Sequence, residues 1–217
     1  MDSYPAKYTD ARGSQDTSIT NDGETLRMTI RSVEFAATDF DSLEPSEDAA
    51  PDQLQSFSLH RGELCSCRIE CEMQIPIHGN GEDLTGTLAI DLQLGDPKPN
   101  GGLDHEQLLI VLKYNGRKVA GSGKSGCFED ELNEIQNQLP DGVYMRACIN
   151  CLYSDYSPYG HGVFGYMMCF RNLKEEYLKV TSKDEFWSIH DRYDRLVQET
   201  YLCPDFKRRV CGTGYRG

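Results

Sequence analysis

Long apolar runs are missing from this 217-residue chain. No stretch approaches the roughly 18 apolar residues that a membrane-spanning helix requires, so none is expected. The opening residues, MDSYPAKYTDARGSQD, lack the apolar centre of a signal peptide, which points to a cytosolic, cytoplasmic protein. Bases are scarce: 22 Lys and Arg against 35 Asp and Glu leave a net charge of −13. Such a field repels nucleic acid and anionic lipid and favours basic partners, although the same charge also serves plain solubility. Gly-x-Ser-x-Gly, His-Glu-x-x-His and other nucleophile signatures are absent, so motifs name no reaction. No internal repeat is visible. Hydrophobic residues make up 38%, low enough to imply that part of the chain is loop.

What is present is alternation. Cys65, Cys67, Ile69, Cys71, Met73, Ile75 and Ile77 fall on odd positions between polar neighbours, the period-two pattern of a half-buried strand. After His78-Gly79-Asn80-Gly81 the alternation resumes through Leu84, Leu88, Ile90, Leu92 and Leu94, which predicts a hairpin. Residues 106–114 read as a buried strand, and Asn115-Gly116 turns it back into a return strand. Residues 24–37 read as one further strand. Residues 38–52 carry six acids, two prolines and no base, and read as a flexible segment. The period then changes. Phe128, Leu132, Ile135 and Leu139 lie at helical spacing behind Glu129, Asp130 and Glu131. A capping box at Ser182 and Glu185 predicts a second helix with Phe186, Ile189, Tyr193, Leu196, Val197 and Tyr201 on one face, closed by Cys203-Pro204. The expected class is α+β: an acidic, antiparallel, sandwich-like β part over residues 1–124 (net −10), then a helical part over 125–217 (net −3) with a loose basic tail from Lys207, either as two units or as one continuous domain.

Nine cysteines in a reducing compartment are thiols or metal ligands rather than disulfides. Cys148-x-x-Cys151, Cys169 and Cys203 have the spacing of a zinc knuckle completed from distant chain, and a structural zinc is expected on these four. His161 or His190 could replace one of them. Buried thiols without metal and a redox pair at Cys148 and Cys151 are the other readings, as is a catalytic zinc served by Asp155 and His161. Cys65, Cys67 and Cys71 share the apolar face of their strand and read as core. Tyr153, Asp155, Tyr156, Tyr159 and His161 crowd a glycine-broken segment that either packs around the metal site or meets a protein partner. Gly121-Ser122-Gly123-Lys124-Ser125 resembles the end of a phosphate-binding loop, but Lys118 stands where that motif needs glycine, and a hairpin arm precedes it.

The segments FSLHRGELCSC, LGDPKPNGGLD, FEDELNEIQNQLPDGVYMRACINCLYSDYSPYGHGVFGYMMCFRNLKEEYL and QETYLCPDFKRR resemble a bacterial family classed only as a domain of unknown function. The resemblance is densest from Phe128 to Cys203. It implies a bacterial cytosolic protein and brings no activity, cofactor or site residue. The reading is a non-enzymatic protein-binding module with a structural zinc, regulatory or toxin-neutralising, whose partner is basic. A metal-dependent enzyme with its site near Asp155 and His161 is the alternative.

Overall fold

Alternation decides most of this fold. The computed structural model describes every residue except Asn80, Asn100, Gly160, His161, Cys211, Gly214 and Gly217. Five strands open the chain: β1 (Asp2–Asp10), β2 (Gly13–Asn21), β3 (Leu26–Ile30), β4 (Val33–Ala37) and β5 (Glu44–Pro45). A single helical turn, α1 (Pro51–Leu54), and a small hairpin, β6 (Leu59–His60) with β7 (Glu63–Leu64), lead into the longest strands. These are β8 (Cys67–Gly79) and β9 (Glu82–Leu94), followed by β10 (Glu106–Tyr114) and β11 (Arg117–Ala120). One antiparallel sheet runs in the order β11-β10-β9-β8-β1-β2-β3-β4-β5. It is two meanders joined where β1 lies beside β8, with Ala6 opposite Cys71. That junction joins the two meanders into a single ladder of paired strands.

Every second residue of β8 is buried, from Cys67 to Gly79. Cys65, Cys67 and Cys71 are interior, and burial pushes the Cys67 and Cys71 thiols up to about 12. They are neutral core residues, as their shared face with Ile69 and Met73 requires. The β8–β9 hairpin pairs from Cys67 opposite Leu94 to Gly79 opposite Glu82. At Asn115 and Gly116 both backbones are left-handed, which a two-residue turn of this hand demands.

The later part is less helical than the periodicity suggests. Helix α2 (Phe128–Gln138) forms as expected, and a two-residue strand β12 (Tyr144–Met145) joins the large sheet on β8. A 3₁₀ turn at Cys148–Asn150 precedes β13 (Ser154–Tyr156) and β14 (Tyr166–Cys169). Two single-turn helices follow, α3 (Lys174–Tyr177) and α4 (Lys183–Trp187), then β15 (Arg195–Gln198). Strands β13, β14 and β15 make a second, three-stranded antiparallel sheet. Strand accounts for 43% of the chain and helix for 13%, so the class is mainly antiparallel β or α+β. No helix among the described residues is long and apolar enough to cross a membrane.

Two elements differ from expectation for identifiable reasons. Residues 24–37 are a hairpin rather than one strand, because Arg31 and Ser32 both adopt left-handed backbone and reverse the chain. The long helix anticipated from Ser182 stops at Trp187. Ser182 does cap it, its Oγ accepting from the Glu185 amide at 3.3 Å. Leu196 and Val197 then leave helical spacing to pair with Met168 and Met167, because β14 would otherwise present unpaired amides to the interior.

The buried residues run across position 124 without a break. Ile69, Ile90 and Ile110 from the large sheet pack in one core with Phe128, Ile135 and Val197. Phe40, Phe128 and Phe164 meet at its edge, with centroids 4.5 to 5.8 Å apart. This contact ties the loop after β4 and the loop before β14 to the start of α2. A smaller cluster of Met168, Phe170, Tyr177, Val180, Phe186 and Ile189 fills the space under α3 and α4.

Candidate functional site: four thiols and an acidic cavity

The 3₁₀ turn presents the first two thiols, with the Cys151 amide donating to the Cys148 carbonyl at 3.0 Å. Ser154 Oγ fastens the turn from below, donating to the carbonyls of Cys148 and Cys151 at 2.6 and 3.1 Å. Chain from the C-terminus flanks it on both sides. The amides of Cys148 and Ile149 donate to Tyr201 and Glu199, and the amide of Leu152 donates to Lys207. The loop between these contacts carries Cys203, itself in a turn closed by the Phe206 amide at 3.1 Å. Cys169 ends β14 opposite Ser154 and Arg195.

All four thiols are buried. Burial raises the Cys148 thiol above its ordinary range, and the charges of Cys151, Cys169 and Cys203 raise it further, against Arg195. Cys169 is raised by burial as well, with Cys203 and Cys151 as electrostatic neighbours and Arg171 opposing. Cys148 and Cys169 therefore each feel the charge of other thiols in the set. Their convergence is looser than a bound metal demands. Among the described residues no group of three His, Cys, Asp or Glu stands ready to hold an ion. His190, a possible substitute ligand, instead lines a cavity on the other side of β14, its Nδ1 2.8 Å from the Trp187 carbonyl. His161 lies outside the described residues.

That cavity, of about 630 Å³, opens between the loop after β4 and the C-terminal sheet. Asp39 is only 7% exposed there. Its Oδ1 accepts the amides of Phe40 and Phe164, both at 2.7 Å. Burial and then the charge of Asp41 push the Asp39 carboxyl up to about 8. Asp191, Tyr159, Tyr166 and Tyr193 complete the acidic and aromatic lining. Sequence reasoning did not find this site. Residues 38–52 read as a flexible acidic segment, and the contact that orders Asp39 comes from Phe164, far along the chain. The one available signal was a pair of acids flanking an aromatic in Asp39-Phe40-Asp41.

The aromatic segment divides. Tyr159 is 78% exposed and meets Trp187 edge-on at 5.0 Å. Tyr153, Asp155 and Tyr156 are buried, so a partner cannot touch them on the folded surface. Tyr177 Oη donates to Asp155 at 3.0 Å and the Tyr156 amide at 2.8 Å, and burial raises the carboxyl. Asp155 does not line the large cavity. Tyr156 Oη donates to buried Glu199, which also accepts the Gly165 amide at 3.1 Å. The start of the tail is docked rather than loose: the Arg209 amide donates to the Asn150 carbonyl, and the Arg208 guanidinium covers the Tyr144 ring at 4.4 Å.

The glycine-rich loop holds an anion, but its own. The Gly123 amide donates to Glu131 at 2.9 Å and Ser125 Oγ donates at 3.0 Å, while Glu134 takes the Ser122 amide at 2.7 Å. A Cβ on Gly121 would stand 2.0 Å from Glu131 Oε2, so glycine is what admits that carboxylate. The positions a phosphate would need are filled from α2, and the sheet feeding the loop is antiparallel.

Residues 2–154 match a family of unknown function, DUF6304, and the chain belongs to it. The matched span contains the large sheet, α2, Cys148 and Cys151, and it ends before Cys169 and Cys203. No curated protein and no solved structure matches the chain.

Proposed function

We propose that the chain is a non-enzymatic binding module for a basic protein partner, regulatory or toxin-neutralising in role, whose C-terminal part is locked by a structural zinc on Cys148, Cys151, Cys169 and Cys203. The observation that supports this reading is that four thiols, on the 3₁₀ turn, the end of β14 and the loop at 201–207, are all buried, with the charges of Cys151, Cys169 and Cys203 raising the Cys148 thiol. Four thiolates fill a tetrahedral zinc and leave no open position for water, which makes such a metal structural rather than catalytic. Arg171 and Arg195 supply positive charge that favours the thiolate state. Free energy of binding would then be free energy of folding for residues 148–209. A net charge of −13, with six acids in residues 38–52, supports a basic partner.

The test combines a chelator with hydrogen exchange and affinity capture on the intact chain. Chelation is expected to release protection across residues 148–209 while the β8 and β9 amides stay protected. A captured partner is expected to be basic and to dissociate as salt rises. Unchanged exchange after chelation argues against the clamp. Capture that ignores salt, or no capture, argues against the partner reading.

A further inference from the structure

Asp39 is a nine-tenths buried carboxyl at the wall of a 630 Å³ cavity. Oδ1 is committed to two amides, and neither of these cancels a full charge. Asp41 and Asp191 face the same space. Among the described residues no Lys, Arg or His forms an ion pair with any of the three. Buried charge without a counter-ion is costly, and burial together with the neighbouring charge of Asp41 raises the Asp39 carboxyl to about 8. Other acids on this chain are paired with a base: Asp10 with Arg31 at 2.7 Å, Asp91 with Arg68 at 2.6 Å.

Its remaining walls narrow the ligand. Tyr166 and Phe164 form the sides, and Tyr159 stands at the mouth against Trp187 and His190. Ring faces attract cations and bind the apolar stem that carries them. Among the described residues no three of His, Cys, Asp and Glu stand together as a bare divalent ion would need. An anion would meet three acids. We propose that this cavity binds an organic cation, an ammonium or guanidinium group, paired with Asp39 and Asp41 and enclosed by the rings of Tyr159 and Tyr166. The proposal rests on the binding-module reading in one respect: a protein partner would supply the cation as a lysine or arginine side chain. The cavity itself needs no zinc.

Binding replaces the proton on Asp39 with the ligand's charge. Among the described residues, the titratable groups that line the cavity with Asp39 are Asp41 on its own loop and Tyr159, Tyr166, His190, Asp191 and Tyr193 from the C-terminal part. Affinity rises with pH, by up to about tenfold per pH unit, and levels off once Asp39 ionises unaided.

Calorimetric titration of the full chain tests this with three probes: butylammonium, methylguanidinium and a short lysine- and arginine-rich peptide, with 1-pentanol as the uncharged control. The expected result is saturable binding of at least one small cation, proton release on binding, and a loss of roughly tenfold or more in both Asp39→Asn and Asp41→Asn. Asp39→Asn keeps the Oδ1 acceptor for the two amides, so folding is retained. Small cations that bind while the peptide does not uphold the cavity and count against a basic protein partner. A peptide that binds Asp39→Asn as well as the unaltered chain overturns the cavity and leaves the partner reading standing. Pentanol binding as tightly as butylammonium, or no saturable binding of any probe, overturns the proposal.

Discussion

Replacing Asp39 with Asn should make the protein more stable, and increasingly so as the pH rises. In the folded chain the Asp39 carboxyl keeps its proton up to about 8, against 3.8 for an ordinary aspartate, because burial and the neighbouring Asp41 both oppose its charge. Below the lower value both folded and unfolded chains are protonated, and the residue has no effect on stability. Between the two values the unfolded chain has released the proton and the folded chain has not. Each pH unit in that window costs the folded state about 1.4 kcal/mol. The cost levels off above the upper value, at a ceiling on the order of 5 kcal/mol. Asparagine cannot titrate, yet its carbonyl can accept from the Phe40 and Phe164 amides as Oδ1 does. The variant should therefore exceed the unaltered chain by about 2 to 5 kcal/mol near pH 8 and by little near pH 4. Urea unfolding of both proteins across that range measures the gap, and subtraction removes every other titrating group. A gap that stays flat with pH, or an Asn variant that is the weaker protein at pH 8, would refute the buried protonated carboxyl.

Two further perturbations probe how the cavity and its surroundings are held. Phe128→Ala removes the ring that both Phe40 and Phe164 pack against, and should cost about 3 to 5 kcal/mol in urea unfolding; a cost under about 1 kcal/mol would mean that the two loops are ordered independently of α2. Glu131→Ala strips the buried carboxylate from the Gly123 amide and Ser125, which should cost about 2 to 4 kcal/mol and speed hydrogen exchange at Gly123. Unchanged exchange there would mean that water or another acceptor already serves that amide.

What could be read from the sequence was mostly local. The β8–β9 hairpin announces itself because burial of one face imposes a period of two over thirteen residues. Asn115-Gly116 and the acidic start of α2 are equally self-contained signals. The first strand pair was not legible: β2, GSQDTSITN, is largely polar and held by pairing with β1 rather than by its own apolar face. The hairpin at Arg31 and Ser32 hides because neither residue is glycine, although both take left-handed backbone. Leu196 and Val197 look helical from Phe186 onward, and only the vacant edge of β14 explains why they are extended. At the site, the burial of all four thiols accords with their spacing, whereas their framing by chain from both sides of Cys203 was not legible. Asp39 was invisible for the same reason: its environment is built by Phe164, Tyr166 and Asp191, none of them near it in the chain.

The most direct test of the account is the zinc content of the purified chain, measured by elemental analysis alongside three single variants. One zinc per chain is predicted for the unaltered protein and for Cys71→Ala, whose thiol packs in the β8 core. Cys148→Ser and Cys203→Ser should lose the metal and, with it, the ordered structure of residues 148–209. A well-folded chain carrying less than about a tenth of an equivalent of metal would contradict the clamp.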